Sequence, residues 1–276
     1  MASRVVAGVN EPQRIVSLVP SDTYTLARLG LGGRLVGRTD YCVAPAEVLH
    51  VPSVGGTKNA DVDAIVALRP DLVVANREEN RQHDIERLVA ASVPVLVSFP
   101  CTVAAGLEHV RRLAALFPSV DAADAIADLA QRYERHARSV RRTPIATFMP
   151  IWMDPLMTGN ADAFLSDVIE LGGGRNIFAG RERRYPLAAD LGLREAVAPE
   201  GRDTRYPRIT LEELEARRPA LVLLPDEPHE FTAADAAVFE ALPCRPRVRF
   251  VDGKAFMWHG WRALEELDRV AALFLE

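Results

Sequence analysis

Six histidines stand in the sequence, and three fall in polar stretches near other donors: His83 follows Glu78 and Glu79, His229 lies between Glu227 and Glu230, and His259 sits in the run MWHGW. Imidazole nitrogens and carboxylate oxygens are donors for a transition metal, so His83, His229 and His259 are the candidate metal ligands. Ordinary loop polarity accounts for the same residues, and the preferred reading assigns no directly bound metal. Cys42, next to Tyr41, is either a soft ligand, a reactive thiol or a small buried residue. No GxSxG, HExxH, CxxC or GxxxxGK[ST] motif occurs. The glycines of GLGGRLVG lie between an expected helix and an expected strand, the reverse of a dinucleotide fingerprint. No catalytic residue is therefore assigned.

Binding residues are easier to nominate. Of the 33 basic residues only Lys58 and Lys254 are lysines, and the only tryptophans are Trp152, Trp258 and Trp261. Short apolar runs such as RIVSLV, LVVAN and LVLLP alternate with helical patterns, which argues for parallel-sheet α/β units. In such sheets ligands bind beyond the carboxyl ends of the strands. Both lysines and all three tryptophans fall in the loops that leave those ends. That combination suits a flat or anionic small molecule.

One stretch divides the pattern. Residues 119–143 read as an uninterrupted helix, with Ser119 as cap, aspartates early, arginines late and Pro144 as the stop. Its apolar stripe is expected along Val120, Ala123, Ala127, Ala130, Tyr133, Ala137 and Val140. The segments on either side repeat. LGLGGRLVG at 29–37 parallels LGGGRNIFAG at 171–180, and DVDAIVALRPDLVVA at 61–75 parallels TLEELEARRPALVLL at 210–224, so that Asp63 matches Glu212 and Pro70 matches Pro219. The expected domains are an N-terminal α/β lobe over 1–118, a connecting helix over 119–143 and a C-terminal α/β lobe over 144–276. The arginine- and proline-rich stretch 185–206 reads as a long loop.

Composition narrows the function. The 276 residues are 49% hydrophobic and 26% charged, with net charge −5. This gives no basic footprint for nucleic acid, and no apolar run reaches membrane-spanning length. Three widely spaced cysteines indicate no disulfide framework. The N-terminal residues show no apolar leader, so the expected location is cytoplasmic, with a periplasmic or extracytoplasmic one if a leader was trimmed.

The runs RIVSLVPSDTYTLARLGLGGRLVGRTDYC, VPSVGGTKNADVDAIVALRPDLVVAN, FLSDVIELGGGRNIFA and RYPRITLEELEARRPALVLL together resemble the helical-backbone, TroA-like class III solute-binding proteins of ABC importers, over about residues 13–275. The resemblance implies α/β class: two parallel-sheet lobes joined by one long backbone helix, with the ligand cleft between the lobes. It implies a non-enzymatic, monomeric receptor without a resident cofactor, whose ligand is cobalamin, haem or a ferric siderophore and whose partner is an ABC permease dimer. By the same resemblance Tyr41 and Tyr206 stand at aromatic ligand positions. Thr57, Asn76 and Leu156 stand where cobalamin receptors place large aromatics. Lys58, Trp152, Trp258, Trp261 and Arg262 complete the expected ligand set. Asp63 and Glu212 occupy the acidic positions that meet permease arginines. The alternative class is a cytosolic metal-binding relative or metal-dependent, chelatase-like enzyme using His83, His229 or His259.

Overall fold

The computed structural model describes residues 11–139 and 143–275. The chain forms two units, and each contains one four-stranded parallel sheet with its own core.

The first unit comprises the chain up to Pro100 with Ala104–Gln131 and Trp258–Leu264. Its strands are β1 (Ile15–Ser17), β2 (Leu35–Arg38), β3 (Leu72–Asn76) and β4 (Val95–Ser98), and they pair in the order β2-β1-β3-β4. Ile15, Val16 and Ser17 lie opposite Leu72, Val73 and Val74. All three residues of β1 and all five of β3 are buried, as expected for central strands of a parallel sheet covered on both faces. Val16, Leu18, Ile65, Val73, Leu88 and Val95 form the core on one side. The helices are α1 (Pro20–Arg28), α2 (Val62–Ala67), α3 (Gln82–Ala90) and α4 (Val103–Ala115). Pro20 opens α1 because its missing N–H would have been unpaired there anyway. Neither Ser21 nor Asp22 caps that helix; both are buried and used elsewhere.

The second unit contains Arg132–Met257, Cys101–Val103 and the chain from Glu265 onward. Its strands β5 (Ile145–Phe148), β6 (Gly174–Asn176), β7 (Leu221–Pro225) and β8 (Arg247–Val251) pair in the order β6-β5-β7-β8. That is the strand order of the first unit again. The internal repeat extends to the backbone. Asp61 caps α2 by accepting from Ala64 N, and Thr210, 149 residues on, caps helix Leu211–Arg217 by accepting from Glu213 N. Arg69 and Arg218 end those helices at φ 47° and 48°, each just before the matched proline. Such a left-handed residue is a common helix stop, and the proline after it cannot continue the helix.

The connecting helix α5 runs over Ala123–Arg138, shorter than the sequence pattern indicates, and the boundary between units falls within it after Gln131. Ser119 does not cap it: its hydroxyl is taken by Glu11 and by Arg34 Nη2 (3.2 Å). Ile126 N instead bonds Ala122 O, which starts the helix there. Ala122 and Leu129 are buried and Ile126, Ala130, Tyr133, His136 and Ala137 half-buried, whereas Ala123 and Ala127 of the expected stripe are exposed. The many alanines left two adjacent stripes nearly equal in sequence, and the larger Ile126 and Leu129 decided between them. Val140 and the arginines at 141 and 142 lie outside the described residues.

The remaining helices are α6 (Phe164–Gly172), α7 (Leu187–Asp190), α8 (Leu211–Arg217), α9 (Ala233–Glu240), α10 (Gly253–Met257) and α11 (Trp261–Ala272). The core of the second unit gathers Phe148, Phe178 and Phe239, with ring centroids 5.5 and 5.8 Å from Phe148.

Candidate functional site

In the first unit the sheet order reverses direction between β1 and β3, the switch point at which open α/β sheets receive ligands. Amide side chains tie the segments leaving those strands. Asn80 Nδ2 donates to Leu18 O at 3.2 Å and to Thr57 O at 3.0 Å, while its Oδ1 accepts from Asn76 N at 2.8 Å. Asn76 in turn accepts from Glu78 N and donates to Ser98 Oγ. Asn76, expected among the ligand donors, is buried in the turn it holds. Thr57 is also buried, and Lys58 donates to Glu78 O. Burial pushes the Glu79 carboxyl up, against the opposing pull of Lys58.

Tyr41 follows β2 and is 62% exposed. Its ring lies over the small hairpin Gly55–Gly56 and Asn59–Ala60: a Cβ on Gly56 would sit 3.4 Å from it. Cys42 beside it is buried, with Thr23 Oγ1 and Thr39 Oγ1 at 3.0 and 3.1 Å from its sulfur, and burial pushes the thiol up. That leaves Cys42 as a small core residue rather than a reactive thiol.

Trp258 and Trp261 are buried rather than presented as open stacking surfaces. The Trp258 ring meets Tyr24 edge-on at 6.2 Å, Arg28 lies 5.8 Å over Trp261, and Trp261 N donates to Thr25 Oγ1. The Arg262 guanidinium lies 5.5 Å from the Tyr24 ring. Gly260 permits this return of the C-terminal chain. It has φ 79°, and a Cβ there would meet Thr25 Oγ1 at 3.0 Å.

Among the described residues, the side chains close enough to share one ion are Asp22, His109 and His259, all buried in the first unit. His259 is thus grouped with Asp22 and His109 and not with His83, which is exposed on α3, nor with His229. His109 Nε2 is 2.7 Å and His259 Nε2 3.2 Å from Asp22 Oδ1; Ser98 Oγ donates to Asp22 Oδ2 at 3.3 Å. Burial alone would push the Asp22 carboxyl up, but the two imidazoles outweigh it and hold the group well below the usual carboxylate range. The sequence reading missed Asp22 and His109. The available signal was His109 itself, a polar residue on the face of α4 that buries Val103, Leu107, Val110 and Leu113.

In the second unit the corresponding switch point lies between β5 and β7. Trp152 leaves β5 in the hairpin Pro150–Met153 and Leu156–Thr158, is 43% exposed, and stands 5.2 Å from the His229 ring. His229 is flanked on its other side by Phe231 at 4.7 Å. Leu156, expected in the ligand set, packs in the hydrophobic core with Phe148 and Ile209. Tyr206 carries Arg205 over its ring at 5.1 Å. Lys254 reaches Glu227 at 3.3 Å and Asp226 at 3.6 Å. Burial opposes its charge, yet these carboxylates and Asp252 raise its ammonium above the ordinary value.

Asp63 and Glu212 occupy the same place in their respective units, the second residue of α2 and of α8. Both are exposed, and Asp63 pairs with Arg87 at 3.0 Å. The Glu212 carboxyl is lowered by hydrogen bonds from its own backbone N–H and from the Thr210 side chain at the helix start.

The chain is similar to known binding proteins along most of its length. Vitamin B12-binding proteins of Yersinia pestis and Yersinia pseudotuberculosis are 28% identical over 217 residues, covering 77% of this chain and 69% of theirs. The periplasmic vitamin B12 binding protein of Vibrio cholerae superposes with TM-score 0.73 at 19% identity, covering 96% of this chain and 97% of its own. A periplasmic haem-binding protein of Pseudomonas aeruginosa gives 0.71 at 22% identity, covering 95% and 92%. These two structures share the fold of two parallel-sheet α/β lobes. Residues 15–243 match the family described as periplasmic binding protein, and the chain belongs to that family.

Proposed function

We propose that this protein is a solute receptor for a tetrapyrrole-type metal chelate, cobalamin-like or haem, which it delivers to an ABC importer. It is a binding protein and not an enzyme, as its relatives are. The observation that carries the ligand class is that both units expose aromatic surface on their strand-end loops, Tyr41 in the first and Trp152 in the second. A corrin or porphyrin offers a broad apolar face, and burying it against such rings gains about 25 cal/mol per Å² before the costs of association. Lys58, Tyr206 and Arg262 are the rim groups of this reading. Thr57, Asn76, Trp258 and Trp261 support it from within the first unit. The relatives' location favours the extracytoplasmic side over the cytoplasm.

Titrating cobalamin, haemin and ferric siderophores while following tryptophan fluorescence tests the reading. One tetrapyrrole is expected to bind at about micromolar Kd or tighter. Tyr41→Ala and Trp152→Ala are each expected to raise that Kd by about 5- to 150-fold, the cost of truncating an anchor residue. A protein that leaves every chelate unbound at ~100 µM, a concentration at which even weak specific sites fill, overturns it.

Docking rests on Asp63 and Glu212. Exposed charges at one repeated position steer association with a cationic partner and set its register. The Asp63→Ala/Glu212→Ala variant is expected to lose permease complex formation in a pull-down with reconstituted transporter while its chelate Kd stays unchanged. Undiminished complex formation removes these two residues from the interface.

A further inference from the structure

The buried trio of the first unit is not needed to bind a chelate at the strand-end loops, and its chemistry is specific. Asp22 lies in the first turn of α1, His109 in α4 and His259 in the link before α11, with relative exposures of 0%, 6% and 6%. Two imidazole nitrogens and a carboxylate oxygen from three separate segments converge so that all their ligand atoms lie within 4.8 Å of one another. A lone Asp–His pair needs one hydrogen bond. Here two imidazoles aim at a single oxygen, Asp22 Oδ1, at 2.7 and 3.2 Å. Two imidazoles and a carboxylate, all buried, make a compact N/N/O donor set, and a divalent cation is the partner that uses all three donors at once.

We propose that Asp22, His109 and His259 bind one divalent transition metal of the zinc class. Zinc takes imidazole nitrogen and carboxylate oxygen at about 2.0–2.2 Å in tetrahedral geometry, which sets donors about 3.3 Å apart. His259 Nε2 already stands near that spacing from Asp22 Oδ1 (3.2 Å), His109 Nε2 is closer (2.7 Å), and all three donors lie within 4.8 Å of one another, so the rings must turn to admit the ion. Ser21 Oγ lies 3.3 Å from His259 Nε2, a further oxygen beside the donor set. Ser98 supplies the outer hydrogen bond that orients the carboxylate. The metal's role is structural: it fastens the returning segment Trp258–Leu264 to α1 and α4 within the first unit. It is distinct from the chelate cargo and independent of that reading, because the three donors are buried rather than displayed on the strand-end loops.

Full-length protein stripped with a chelator and titrated with Co(II) tests the site. The expected result is one equivalent of Co(II) giving the intense visible bands of a tetrahedral ion, displaced by Zn(II). Zn(II) but not Mg(II) is expected to raise the thermal midpoint by about 5 °C at saturating concentration. His109→Gln and Asp22→Asn are expected to abolish uptake, whereas His83→Gln and His229→Gln retain it. If the first two variants do not fold, the wild-type protein decides: on adding Zn(II) the imidazole nitrogen resonances of His109 and His259 shift and those of His83 and His229 stay fixed. No Co(II) uptake by wild type, equal uptake by folded His109→Gln, or shifts confined to His83 and His229 overturns the proposal.

Discussion

Asp190→Ala is expected to destabilise the second unit by about 3–5 kcal/mol, the cost of leaving one member of a buried ion pair without its partner. Arg181 and Asp190 are both buried, with Nη1 and Oδ1 3.0 Å apart. Arg181 Nη2 also donates to Asp190 O at 2.6 Å and Arg208 O at 3.2 Å, and its Nε donates to Glu213 Oε1 at 3.1 Å. The carboxylate of Asp190 accepts from two backbone amides, Arg184 N at 2.9 Å and Arg208 N at 2.7 Å. Alanine therefore takes one of two carboxylates from the buried Arg181 guanidinium, leaving Glu213, and removes the acceptor of two backbone N–H groups at once. The stretch 185–206, expected as a long loop, contains the single turn α7, and this network fixes it at both ends. Urea denaturation followed by circular dichroism measures the loss. Asp190→Asn keeps an acceptor and is expected to lose less than Asp190→Ala. Equal stabilities for wild type and Asp190→Ala contradict the assignment.

Phe274→Ala carries the second large expectation, again about 3–5 kcal/mol for removing a fully enclosed aromatic ring. Phe274 is buried, and its ring occupies the space that Gly172 and Gly174 leave by lacking a Cβ. A Cβ on Gly172 would stand 2.7 Å from Phe274 Cε2. One on Gly174 would stand 2.5 Å from Phe274 Cε1 and 2.7 Å from Ile169 Cγ2. Gly174→Ala alone is expected to cost about 1–3 kcal/mol through overpacking. The same change in a Phe274→Ala background is expected to cost markedly less, because the clashing ring is gone. A double-mutant cycle by chemical denaturation reads that coupling, and strict additivity counts against it. The glycine run LGGGRN, visible as a repeated motif in sequence, thus has a packing reason: β6 and the end of α6 must let the C-terminal ring pass.

The features legible in sequence were those fixed over short spans of chain. Two parallel-sheet units could be read because apolar runs and turn residues encode strands and helices locally. The duplication could be read because caps and pre-proline residues leave a pattern: the match of Asp63 with Glu212 and Pro70 with Pro219 predicted equivalent helices. Asp61 and Thr210 as caps, and Arg69 and Arg218 at positive φ, complete the correspondence. Helix α5 was legible as a helix and in the later half of its inward face, but not in the earlier half or in its start. Alanine gives little difference between neighbouring stripes, and the Ser119 hydroxyl is taken by Glu11 and Arg34, distant in sequence.

Only the tertiary structure decided which polar residues have which partners. Asp22 stands in the first turn of a helix, yet its partners are His109 and His259, 87 and 237 residues away. Asn76 and Leu156 stood at positions suited to ligand contact, but one is bound to Asn80 and Ser98 and the other lies in a hydrophobic core. Trp258 and Trp261 fell in a loop expected to line a site, and they are buried beside Tyr24 and Arg28. Composition and periodicity determine which elements form, because those preferences act between neighbours in the chain. Burial of a charge or ring depends on groups brought together from remote segments, and its free energy is set by those partners rather than by the residues alongside it.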